Sequence, residues 1–295
     1  MVTIPSRDGQ VLRYQVIQPG HLAPRIYYIN GIQTTAEAHA RTATGLSILT
    51  ERPVYGVYNA SAGQGAGIIL DLLQCGADWV DIFLSKTAEI TNIGINHLIN
   101  KVTKVVRDAV GKPPRNPVNV ADSIRQRIPE KQRILLIENA LSLYNKATAS
   151  LFQQLRQYRS EKQILIAHSQ GNLITADALW SMVICYGEAS LMHMQVYSLA
   201  SPAPAWPLGI RYRRKVYGHT NDLVTLFDPH NWTFITNRLA YGRFGRTAAD
   251  WRKHGSSWLP GLGGHDLSRN IALNFSRTIR KDLELPPIDG GLPAF

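Results

Sequence analysis

QILIAHSQGNLITADALW, residues 163–180, decides how this chain is read. QILIAH (163–168) is apolar and β-branched enough for a buried strand, and a helical pattern runs from about residue 170 to 185. Ser169 stands at the junction, with Ala167 two residues before it and Gly171 two residues after. A surface serine needs no such company. In an open parallel sheet, reactive groups gather at the carboxyl ends of strands. A tight strand-to-helix turn there pushes the serine hydroxyl outward, and small residues on either side let the turn close. The helix that follows adds N–H groups that favour developing negative charge.

Working outward, short β-branched or aromatic runs alternate with longer helical ones. VLRYQVI (11–17), RIYYIN (25–30), PVYGVYN (53–59), MQVYSLA (194–200) and RRKVYGH (213–219) read as strands. AEAHARTATGLSILT (36–50), a segment near 119–128, a long stretch from about 133 to 158 and LSRNIALNFSRTIRK (267–281) read as helices. Glycine-rich SAGQGAG follows the strand at 53–59, and GKPPRNP (111–117) breaks the helical pattern of 66–110. Such alternation predicts an α/β fold, a mostly parallel sheet flanked by helices. The expected organisation is one domain over 1–295, with a helical insertion at about 61–159 placed to act as a cap or lid.

A serine is a weak nucleophile without a base, and the base needs an orienting acid. Downstream of Ser169, Asp222 follows the strand at 213–219 directly, while Asp228 precedes Pro229 and suits a turn. Among later histidines, His265 lies after glycines and before the last helix, in PGLGGHDLSRNIALNF. His230 and His254 are the competitors, His254 in the polar loop WRKHGSSW, and Asp266 suits a helix N-cap. An oxyanion needs two N–H donors. Gln170, the residue after the serine, supplies one. The loop Asn30-Gly31-Ile32-Gln33 after the early strand supplies the other, from Ile32 or Gln33, with Gly31 allowing close backbone approach.

Composition narrows the setting. Among 295 residues, 32 are basic and 21 acidic, a formal charge of +11. Residues 211–253 hold nine of the basic residues against three acidic ones. Such an excess favours anionic surfaces, a phospholipid membrane among them. No nucleic-acid-binding motif accompanies it, so no nucleic-acid partner is expected. Cys75 and Cys185 lie in apolar runs and read as buried thiols, not a disulfide framework. MVTIPSRDGQVLRYQ lacks a basic-then-apolar leader, and GAGIILDLLQCGADWVDIFL carries Asp71, Asp78 and Asp81, too many carboxylates for a lipid span. The expected location is cytoplasmic, or exported without a cleaved signal peptide, with no transmembrane segment.

Ala167-His168-Ser169-Gln170-Gly171 resembles the G-x-S-x-G elbow of the α/β-hydrolase superfamily, with Ala in place of the first Gly. SLASPAPAWP, VYGHTNDLVTLFDP and GGHDL are similar to the corresponding segments of class 3 lipases and lipase-like bacterial effectors. The resemblance covers about residues 25–60 and 160–280; in the early loop Asn30 replaces the His of the usual His-Gly-x pattern. It implies an α/β-hydrolase with a Ser169–His265–Asp222 triad, an oxyanion hole from Gln170, Gly31 and Ile32, and neither metal nor organic cofactor. It also implies carboxylic ester hydrolysis; the amphipathic stretches of 66–110 and the basic excess suit an anionic membrane and make acyl lipids the leading substrate. The alternatives are a carboxylesterase or thioesterase for soluble esters, and a non-catalytic lipid-binding or interaction module on the same fold.

Overall fold

The computed structural model describes residues 2–16, 24–31, 34–60, 117–203, 206–217 and 275–287. Strands β1 (Val11–Tyr14), β2 (Arg25–Ile29), β3 (Val54–Val57), β4 (Gln163–His168), β5 (Met194–Leu199) and β6 (Arg214–Tyr217) form one sheet in the order β1-β3-β2-β4-β5-β6. Only β1 runs antiparallel to its neighbour. The helices are α1 (Ala36–Thr50), α2 (Pro117–Arg127), α3 (Glu130–Tyr144), α4 (Lys146–Gln157), α5 (Gly171–Tyr186), the short α6 (Leu208–Arg211) and α7 (Ser276–Asp282). The expected α/β class is what forms: a mixed, mostly parallel sheet flanked by helices.

The central strands β2, β4 and β5 are apolar along most of their length because both faces are covered. Side chains alternate between two cores. Tyr27 and Ile29 of β2, Leu165 of β4 and Val196 of β5 face the core built with α2, α3, α4 and α5. Ile26, Tyr28, Ile164, Ile166, Tyr197 and Leu199 face the other, built with α1 and α7. The described part of the segment between β3 and β4 thus joins a helical layer. Ile124, Ile137, Leu141, Leu151 and Phe152 pack there with Leu179 and Val183 of α5. Residues 61–116 lie outside the described residues.

The expected helix over 133–158 is in fact two. Asn145 (φ −151°, ψ 115°) closes α3 through its N–H on the Leu141 carbonyl and caps α4 by accepting the Thr148 N–H at 2.9 Å. Asparagine favours helix N-caps, and the apolar pattern runs through this break without marking it. Strand β1 is also shorter than its β-like run suggests. Helix α7 is clamped from both sides. Arg280 donates to the Leu49 carbonyl and to Glu51, each at 2.9 Å, while Asp282 accepts from Tyr197, Lys215 and Gln195. Cys185 is buried, and burial pushes its thiol up to about 12. Cys75 lies outside the described residues. Among the described residues no helix is long and apolar enough to cross a membrane.

Candidate active site

The strand order reverses at β2: β3 lies on one side of it and β4 on the other. The chain leaves β2 for α1, on one face of the sheet, and leaves β4 for α5, on the opposite face. Loops that diverge in this way open a crevice at the carboxyl ends of the two strands. Gly31 and Ser169 sit at that point.

Ser169 has φ +53°, a left-handed conformation that costs a non-glycine residue about 1–2 kcal/mol. Its N–H donates to the Leu199 carbonyl at 3.0 Å, and its own carbonyl accepts the Asn172 N–H at 2.9 Å. The turn therefore passes directly from β4 pairing into α5. Two close approaches leave no room for side chains. A Cβ on Gly31 would lie 2.6 Å from Ser169 Cβ and 3.1 Å from its Oγ. A Cβ on Gly171 would lie 2.4 Å from the Ile29 carbonyl oxygen. At Ala167 a methyl is tolerated, fully buried between Ile29 of β2 and Ser198 of β5.

One carboxamide holds the turn from below. Asn172, fully buried in the first turn of α5, directs its Nδ2 at the carbonyls of Ser169 and Leu199, both at 3.0 Å, and of Ala167 at 3.3 Å. Its Oδ1 accepts the Ser198 hydroxyl at 2.6 Å. The neighbouring strand end is also left-handed: Ala200, φ +47°, donates its N–H to the Tyr217 carbonyl at 2.8 Å.

A second set of amides lies across the crevice. Asn30 Nδ2 donates to the carbonyls of Gly31 (2.9 Å) and Asn59 (2.8 Å). Asn30 Oδ1 accepts the Asn59 N–H at 2.9 Å and lies 2.9 Å from His39 Nδ1. Asn59 Nδ2 then reaches Gln170 Oε1 at 2.8 Å. Since the Asn30 oxygen can only accept, the proton of His39 is on Nδ1. The ring stacks on Tyr28 and meets Tyr14 and Tyr58 edge-on. Burial among these rings drives the imidazole down to about 3, so it is neutral throughout the physiological range.

Of the residues singled out in the sequence, Ser169, Gln170 and Gly31 are brought together here. Ile32, Asp222 and His265 lie outside the described residues, as do Asp228, His230, His254 and Asp266. Strand β6, which precedes Asp222, ends beside β5 at the same edge of the sheet. Sequence reading missed Asn172, Asn59 and His39. The signals were present: a carboxamide opening an otherwise apolar helix, another directly after a buried strand, and a histidine on an alanine-rich face. Among the described residues no group of three or more His, Cys, Asp or Glu side chains could hold a metal ion. No protein-family model, curated protein or solved structure matches the chain.

Proposed function

We propose that this chain is a serine hydrolase of the α/β-hydrolase type that cleaves carboxylic esters, with acyl lipids as the leading substrate class. The observation that carries the reading is Ser169 itself: a serine at φ +53° on the β4–α5 turn, at the sheet's switch point, against a glycine that admits no side chain. A strained residue in such a crevice is the recurrent setting of a nucleophile. The strand order and the antiparallel β1 support the fold assignment. The lipid preference rests on the apolar, amphipathic sequence of 66–110 and on the positive charge, both of which suit an anionic membrane surface.

The reaction has two steps. His265 takes the Ser169 proton as Oγ adds to the ester carbonyl carbon. The oxyanion is held by the N–H groups of Gln170 and Ile32, while Asp222 orients the imidazole and stabilises its charged form. Collapse breaks the ester C–O bond, and His265 hands its proton to the departing alcohol. A water then gives up a proton to His265, attacks the acyl-serine and releases the acid, and the proton returns to Ser169.

Phospholipid vesicles and p-nitrophenyl esters, each assayed with wild type, Ser169→Ala, Asp222→Asn and His265→Ala, test this. Wild type hydrolyses members of the panel, and each variant loses about 10³-fold or more. A folded wild type inert toward every ester, or a Ser169→Ala variant as fast as wild type, would overturn the reading.

A further inference from the structure

In a serine hydrolase the backbone N–H of the residue after the nucleophile meets the oxyanion. On the serine-hydrolase reading that donor is the Gln170 N–H, and turnover depends on where it points. It shares one planar peptide unit with the Ser169 carbonyl, and in a trans peptide the two groups point in opposite directions. Whatever holds the Ser169 carbonyl therefore aims the Gln170 N–H.

That carbonyl is held twice by one residue. The Asn172 backbone N–H reaches it at 2.9 Å, and Asn172 Nδ2 reaches it at 3.0 Å. The backbone bond is one any first helical turn forms. The side-chain bond is particular to asparagine here. The same Nδ2 lies 3.0 Å from the Leu199 carbonyl and 3.3 Å from the Ala167 carbonyl, so it ties the peptide to the ends of both β4 and β5. Three carbonyls admit only the nitrogen end of the amide, and its oxygen is turned to the Ser198 hydroxyl on β5, at 2.6 Å. Asn172 and Ser198 are both fully buried, so losing either partner leaves a dry polar group behind.

The hold has something to resist. Ser169 sits at φ +53°, and such strain relaxes if the peptide that follows is free to turn. Turning the Ser169–Gln170 peptide carries the N–H away from the oxyanion, and a misplacement of about 1 Å costs on the order of 100-fold in rate.

We propose that Asn172, oriented by Ser198, is the positioning residue that aims the Gln170 N–H at the oxyanion. Strand β5 thereby serves catalysis through a buried hydroxyl. Both side chains act through the donor and not on the substrate, so their loss lowers turnover and leaves substrate binding alone.

The test compares wild type with Asn172→Ala, Asn172→Ser and Ser198→Ala. On each, kcat and KM are measured with a soluble p-nitrophenyl ester, together with the inhibition constant of a trifluoromethyl ketone, which adds to the serine and carries an oxyanion. Near-UV circular dichroism normalises each rate to folded protein, and urea unfolding follows stability. Asn172→Ala is expected to lower kcat by about 10- to 100-fold and to raise the inhibition constant by a similar factor, with KM within about twofold. A serine hydroxyl in a helix can bond the carbonyl three residues back. Asn172→Ser therefore regains most of the lost kcat while unfolding at nearly the same urea concentration as Asn172→Ala. Ser198→Ala gives a smaller fall in kcat, about 3- to 10-fold, with the same constant KM, and carries the test should the Asn172 variants not fold. An active wild type with folded variants at wild-type kcat, with KM alone raised, or with Asn172→Ser as slow as Asn172→Ala, overturns the inference only. A folded wild type that hydrolyses no ester overturns the serine-hydrolase reading, and the inference falls with it.

Discussion

Where the strands of the sheet begin, Arg25 lies between the rings of Tyr55 (4.6 Å) and Tyr158 (3.4 Å), with Glu161 alongside, and Gln163 donates to the Leu155 and Tyr158 carbonyls. Where the strands end, Ser169 and Ala200 hold left-handed backbone, and Asn30, Asn59 and Asn172 bind carbonyls, N–H groups and each other. The other two non-glycine residues with positive φ among those described, Glu51 and Glu284, follow the last turns of α1 and α7, where such a conformation commonly closes a helix. At the strand beginnings, polar contacts accompany ordinary backbone. At the strand ends, they hold two residues in conformations the chain would not choose. Strain of that kind persists only where the surroundings over-determine it, and its place at Ser169, on a strand-to-helix turn and not at the close of a helix, is the physical case for placing function there.

Removing one anchor from each edge sharpens the contrast most. Asn172→Ala strips three carbonyls and the Ser198 hydroxyl of a buried partner, and lowers the unfolding free energy by about 3 kcal/mol. It also lowers ester turnover per folded molecule, because the elbow relaxes. Arg25→Ala costs about 1 kcal/mol and leaves turnover within about twofold. Urea unfolding and ester assays on both proteins check the pair; equal turnover in Asn172→Ala and Arg25→Ala would break the comparison.

The next effect concerns pH. His39 stays neutral in the folded protein down to about 3, whereas the unfolded chain's imidazole takes up a proton near its ordinary value of about 6.5. The unfolded state therefore binds more protons between those limits, and stability falls as pH falls. The slope from this one group reaches about 1.4 kcal/mol per pH unit. Wild type is more stable than His39→Gln at pH 7, and that advantage shrinks as pH drops from 6 toward 4. Urea titrations at four pH values measure it, and parallel curves would show that His39 is not held neutral.

The smallest effect is at Ala200. Ala200→Gly relieves the left-handed penalty and raises stability by about 0.5–1 kcal/mol in a thermal melt. A loss of stability would mean that its methyl, fully buried beside the elbow, contributes more than the strain removes.

Much of the frame is legible in the sequence because it is written in period-two and helical patterns. Helix 36–50 and strand 163–168 fall where their patterns put them, and the position of Ser169 between a strand and a helix follows from the latter. The break at Asn145 was hidden because capping is a property of one residue, while apolar periodicity averages over many. The amide networks were hidden for a different reason. Asn30, Asn59 and Asn172 are ordinary turn or helix-start residues in sequence, and only the sheet's parallel register brings Asn59 to Gln170. Asn30 illustrates the point. Read in the sequence it is a departure from a His-Gly pattern; in the fold its carboxamide fills four hydrogen-bonding positions.

The central claim is that Ser169 is an activated nucleophile. Incubation of the whole chain with a fluorophosphonate, with and without anionic phospholipid vesicles, followed by intact-mass and peptide mapping, tests it most directly. The account predicts one adduct per chain, on Ser169, absent from Ser169→Ala and lost in His265→Ala. A folded wild type that takes up no adduct under either condition, or takes it up at another residue, would contradict it.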